Sequence, residues 1–152
     1  MSLNESLGAL SRGMFAGLVG TIAMTLSERV EMAVSGREGS QVPGQVGAHL
    51  LPGKDPDVPS DVERLNEPVH WAHGIGMGAL RGVLGLAGLR GPEATAAHFA
   101  LLWGGDAALY RGLGVADAPW RWGADELASD MLHKGVYAVV TGVVYDALAP
   151  AG

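Results

Sequence analysis

Four apolar segments, about Gly13 to Val34, Val69 to Leu89, Ala94 to Val115 and Leu127 to Leu148, constrain this chain more than any other feature. Each is near the roughly 20 residues an α-helix needs to cross a bilayer, and each carries ionisable groups among its apolar ones. The spacing predicts one all-α domain over residues 1–152: a four-helix up-down transmembrane bundle with helices about 13–34, 69–89, 94–115 and 123–148 and a long first loop, 35–68. The first segment is uninterrupted only from Gly13 to Ser27, about 22 Å of helix against a bilayer core of about 30 Å. That shortfall leaves a soluble helical bundle as an alternative.

Composition supports the membrane reading. Hydrophobic residues make up 48% of the chain and charged residues 17%, below the roughly 25% charge of soluble domains. The 24 glycines fall largely inside the apolar runs, where a soluble helix would lose about 1 kcal/mol for each. Membrane helices instead use small residues for close approach. Gly13, Gly17 and Gly20 in the first segment, and Gly74, Gly78, Gly82 and Gly85 in the second, recur at helical spacing. Such faces could pack within the chain or join copies of it as a homo-oligomer. With no Cys there are no disulfides or thiolate metal sites. A net charge of −6 without a basic stripe argues against nucleic acid as a partner. The apolar run after Arg12 lacks a convincing small-x-small cleavage site and reads as a retained helix.

The connections carry their own signals. Within the first loop, Gln45 to Leu51 could form a short surface helix ended by Pro52-Gly53, and Ser60-Asp61-Val62-Glu63 has the form of a capping box. Pro92 suits the start of the third helix. Pro119-Trp120-Arg121-Trp122 suits a bilayer interface or a loop with two partly buried indoles.

Up-down topology sorts the polar residues by end. Glu28, Glu31, Glu67, His70, His73, Asp106, Tyr110, Asp125, Glu126, Asp130 and His133 fall on one side, while Arg12, Arg81, Arg90 and Asp146 fall on the other. Helical phase groups Glu126, Asp130, His133, Tyr137 and Thr141 on one stripe of the fourth helix, and Glu67, His70, Gly74, Met77 and Arg81 on one of the second. Polar stripes in membrane helices face the bundle. Glu67-Pro68-Val69-His70 and Asp130-Met131-Leu132-His133 each place a carboxylate three residues before a His. Di-metal carboxylate bundles use that spacing on two helices, plus a carboxylate from each of the others. The candidate ligands are His70, His73, Asp106, Asp130 and His133, with Glu28 and Glu67 as additions, and such donors suit Zn, Fe or Mn. A bis-His haem between His73 and His133 is a weaker alternative, and the bland reading makes each His a hydrogen-bonded interface residue. Arg81 and Asp146 lie at similar depth and are expected to form a structural ion pair, with His98 a packed histidine.

The strings Asn66 to Gly74 (NEPVHWAHG), Arg81-Gly82, Gly88 to Pro92 (GLRGP), Pro119 to Trp122 (PWRW) and Asp125 to Gly142 (DELASDMLHKGVYAVVTG) resemble an uncharacterised family of short four-span membrane proteins, actinobacterial with fungal relatives. The resemblance covers most of the chain from Gly13 onward. It implies a membrane location and four helices, and it supplies no activity. No nucleophile–base–acid constellation, phosphate loop or dinucleotide fingerprint is present. The expected function is therefore a multi-pass protein of the plasma (inner) membrane, with the lipid bilayer as its partner and a polar site for a cation or proton at one end. The alternative is a membrane-embedded metal-dependent enzyme. The Lys and Arg residues on the site side outnumber those opposite, which orients that side toward the cytoplasm.

Overall fold

A computed structural model describes residues 2–149, which are all-α, with no strand among the described residues. Five α-helices follow in order: α1 Leu3–Ser35, α2 Val42–Leu50, α3 Pro59–Leu86, α4 Gly91–Leu113 and α5 Ala124–Leu148, with a single 3-10 turn, Pro119–Arg121, before the last. The four long helices pack around one core. α1 lies against α3 and α5, α4 closes on α5, and α2 rests on α3. Only α1, among the described residues, is long and apolar enough on average to cross a membrane.

Two helices start earlier than the apolar runs indicate. α1 begins at Leu3, ten residues before Gly13, because Ser2 and Glu5 form a capping box: the Glu5 amide donates to Ser2 Oγ at 3.2 Å, and the Ser2 amide to Glu5 Oε2 at 2.6 Å. α3 starts at Pro59, not near Val69, and runs through Pro68. Pro59 sets the first helical position, so Ser60 sits inside the helix and the box expected at Ser60–Glu63 does not form; the N-cap is Val58, with no side-chain bond.

The added turns of α3 are held by α2, whose Gly44, Val46, Gly47 and Ala48 are buried. That helix is thus half core and not simply a surface element. Asn66 ties the two together, its Oδ1 accepting from the Gly44 amide at 2.9 Å while its Nδ2 donates to the Ser40 carbonyl at 3.0 Å. A methyl group at Gly44 would collide with the Val62 carbonyl, so the approach requires glycine.

The α1–α3 seam is built from the glycines. Ala9 faces Gly82, Gly13 faces Gly78 and Gly17 faces Gly74 in antiparallel register, and a Cβ on Gly17 would fall 2.7 Å from both the Gly74 carbonyl oxygen and Gly78 Cα. These rows meet each other inside the chain. With no side chain between them the backbones come close enough for dispersion to act over the whole seam. Gly20 likewise admits Tyr137 and Thr141 of α5, and Gly142 admits Thr95 of α4.

The surface of the four long helices divides into a belt and two ends. Between Arg12 and Arg29 the exposed residues of α1 are Met14, Phe15, Ile22 and Leu26. Between Pro68 and Ala87 on α3 they are Ala72, Gly76 and Val83. Along α4 from Ala94 to Tyr110, and along α5 from Leu127 to Leu148, every exposed residue is Gly, Ala, Leu, Val or Met. The interior is the more polar side: Thr21, Arg81, His98, Asp106, His133 and Thr141 are all buried. This inversion explains why only α1 has a strongly apolar average. Within the belt, the other three helices carry their polar residues on the face turned inward, and their exposed charges lie at the ends.

Candidate functional site

At the end where α1 and α4 finish and α3 and α5 begin, a charged network joins three helices. Asp106, on the buried face of α4, has Oδ1 at 3.0 Å from His73 Nε2 of α3 and Oδ2 at 3.2 Å from Lys134 Nζ of α5. Lys134 also reaches Asp130 Oδ1, one turn earlier on α5, at 2.9 Å. Asp130 Oδ2 accepts from Trp103 Nε1 at 2.9 Å, and the Lys134 ammonium lies 5.1 Å from the centre of the Tyr110 ring. Asp106 and Lys134 are almost enclosed, their side chains 4% and 12% exposed, whereas that of His73 is 39% exposed. The network therefore meets solvent chiefly at the His73 imidazole and, to a lesser extent, at Asp130, whose side chain is 26% exposed.

The other candidates stand in separate pairs. His70 Nε2 lies 3.0 Å from Thr25 Oγ1 of α1. His133 Nδ1 lies 2.8 Å from Ser27 Oγ of α1, and its Nε2 is 3.2 Å from Ser129 Oγ and 3.7 Å from Glu31 Oε2. Glu67 is exposed and accepts from Trp71 Nε1 at 3.1 Å. Glu28 is part-buried on α1, facing the α3 and α5 acids without a hydrogen bond to them.

The seven expected ligands therefore do not assemble. Among the described residues, no three His, Asp or Glu side chains converge in a way that could hold a metal ion. The physical reason is Lys134: its ammonium occupies the place between Asp106 and Asp130 that a bridging cation would take, and neutralises the charge a metal would otherwise balance. Among the described residues the donor set does not assemble a di-metal centre. The i, i+4 spacing of Asp130 and Lys134 signals their pairing in the sequence. Trp103 as a donor, and Ser27 and Thr25 as histidine partners, carry no comparable signal.

The opposite end is built around a buried cation. Arg81 is fully buried; its Nη2 donates to Asp146 Oδ1 across α3 and α5, and Asp146 Oδ2 accepts from the Gly91 amide at 3.1 Å. Gly91 opens α4 with φ of 58°, a left-handed conformation that only glycine adopts freely and that turns its N–H toward Asp146. The Arg81 guanidinium lies 4.4 Å from the centre of the Tyr145 ring, and that of Arg12 lies 6.0 Å from it. Between the ends, Tyr137 donates to the Gly74 carbonyl at 2.6 Å, and His98 Nε2 lies 2.9 Å from the Met77 carbonyl.

No family model matches the sequence, and comparison with curated proteins and with solved structures returns no match.

Proposed function

We propose that the chain is a multi-pass protein of the inner membrane whose four long helices cross the bilayer as an up-down bundle, and whose His73–Asp106–Lys134–Asp130 network binds and releases one proton. The carrying observation is the inverted surface: an apolar belt outside, ionised groups within. At a rise of about 1.5 Å per residue, Arg12 and Arg29 bracket roughly 26 Å of α1, close to the hydrocarbon thickness of about 30 Å. In water such a belt has no partner; in lipid it is the expected exterior, and charged residues belong inside. At the rim, Trp120 is 80% exposed and its ring centre lies 5.8 Å from the Arg111 guanidinium, an arrangement suited to headgroups.

The proton follows from counting charge. With His73 neutral, two carboxylates and one ammonium leave the network at −1; a proton on His73 brings it to zero. A net charge in a low-dielectric site is costly, so the network is poised to hold one exchangeable proton. The groups that face it are Asp106 and Tyr110 of α4, Lys134 and Asp130 of α5, Glu28 of α1 and His70 of α3 itself. His73 is the most exposed member of the network, ahead of Asp130.

Alkaline carbonate extraction tests the membrane reading: the chain should stay in the pellet, and release into the supernatant would return it to the soluble bundle. Nitrogen NMR tests the proton. As His73 titrates, the Lys134 Nζ resonance should move with the same midpoint, because coupled groups titrate as one unit. A Lys134 signal that ignores His73 would break the network reading.

A further inference from the structure

We propose that the Arg12–Arg81 end of the bundle is a binding site for an oxyanion of the phosphate class. It lies at the end opposite the proton network and does not rest on it. Two guanidiniums, Arg12 of α1 and Arg81 of α3, approach one aromatic ring, Tyr145 of α5. Among the described residues only Arg81 is paired with a carboxylate, Asp146, and both of its oxygens are already engaged, Oδ1 by Arg81 Nη2 and Oδ2 by the Gly91 amide. Arg12 Nε, Arg81 Nε and Arg81 Nη1 are consequently buried without a hydrogen-bond partner among the described residues.

Buried N–H donors are almost always satisfied, and leaving one bare costs about 1–3 kcal/mol, more for a charged group. Three bare donors on two cations call for an acceptor that also carries negative charge. A tetrahedral phosphate oxyanion meets both needs, because it can accept from the planar forks of two arginines at once. Access is through Arg12. Arg81 is wholly enclosed, whereas Arg12 is only part-buried, and its guanidinium runs back along α1 past Gly8, where there is no side chain to hold it. Swinging Arg12 outward opens the pair, and returning it closes two guanidiniums on the bound oxyanion. Arg12 also marks one edge of the apolar belt, the level at which lipid phosphates lie, so the oxyanion has two sources: a lipid headgroup or a free phosphate ion.

The test uses the full chain in neutral detergent micelles, with thermal unfolding followed in two arms. One arm adds inorganic phosphate; the other adds phosphatidylglycerol, with diacylglycerol, which has the same chains and no phosphate, as the uncharged comparison. A saturable rise in Tm is expected in one arm, absent with diacylglycerol, with apparent affinity weakened at least tenfold in Arg12→Gln and partly restored in Arg12→Lys. Saturation by phosphatidylglycerol assigns the site to a lipid headgroup, and saturation by inorganic phosphate assigns it to the free ion. Arg12 is varied because Arg81 is tied into the core. No saturable response in either arm, or equal affinity in Arg12→Gln, overturns the proposal.

Discussion

The two ends of this bundle solve the same problem, charge enclosed among apolar helices, with opposite remainders. At the His73 end, Asp106 and Asp130 share one ammonium, Lys134, and the surplus is negative. At the Arg81 end, two guanidiniums, Arg81 and Arg12, stand over one Tyr145 ring, Arg81 alone is paired with the carboxylate Asp146, and the surplus is positive. Accessibility differs as well. The first network reaches solvent through a titratable imidazole, while the second is closed by a guanidinium, which stays protonated in proteins. A negative remainder beside an imidazole can be cancelled by a proton; a positive remainder on arginine can be cancelled only by an anion. The difference in side-chain chemistry thus sends the two ends toward different ligands.

Both ends depend on the glycine seam that fixes α1 against α3, and breaking it is expected to have the largest effect. Gly17→Val would drive a side chain into the backbone at Gly74 and Gly78; overpacking of this kind costs about 3 kcal/mol or more. Both ends should loosen together, seen as parallel loss of protection of Asp106 and Asp146 in hydrogen exchange. Gly105→Ala, where nothing lies within 4 Å of the added Cβ, is expected to be neutral or to stabilise by under about 1 kcal/mol. Equal effects from the two variants in a denaturant titration in micelles would show that the seam is not what holds the bundle.

Asp146→Asn comes next. It strips a fully buried guanidinium of its only carboxylate among the described residues, and breaking a buried pair costs about 3 kcal/mol. The double variant Arg81→Met with Asp146→Leu should recover most of that loss, since the penalty lies in the stranded charge and not in the absent pair. At the other end, Lys134→Met leaves two carboxylates facing each other. The expected cost is smaller, about 2 kcal/mol, because Asp130 is partly exposed and solvent screens its charge. Adding Asp106→Asn should restore stability there. If Lys134→Met proves costlier than Asp146→Asn, the ranking of the two ends by accessibility is wrong.

How much of this was legible in the sequence depends on whether a signal is local. The helix periods, the placing of Arg81 and Asp146 at one depth, and the polar asymmetry between ends all follow from order along the chain. The capping box at Ser2 was passed over because an apolar count sees no helix before Gly13. Pro59 as the true start of α3 was hidden by the stronger-looking Ser60–Glu63 pattern one residue later. The metal-ligand set failed for a different reason. Helical phase places residues on a face but does not say which neighbour fills the space between two faces, and Lys134, one residue beyond His133, fills it. A ligand spacing is a pattern of acids and imidazoles alone and carries no sign of the ammonium beside them.

The smallest expected effect lies outside the bundle, where Lys54 Nζ donates to Asp61 Oδ1 at 3.0 Å and the Asp55 amide donates to Asp61 Oδ2 at 3.3 Å. The hydrogen bond from Lys54 holds the Asp61 carboxyl below its ordinary value. A carboxyl depressed in the folded state contributes stability that is complete above its unfolded pKa, about 3.9, and is lost as pH falls through the lower folded value. Asp55 amide exchange, corrected for its intrinsic pH dependence, should therefore be constant near neutrality and speed up below about pH 4. Lys54→Met should raise exchange at neutral pH and flatten that dependence. The bundle ends should not follow, because Asp61 shares no contact with either network. A coincident loss of protection at Asp106 or Asp146 would mean that the α2–α3 turn is coupled to the charged interior, and that the contrast between the two ends is set partly from outside them.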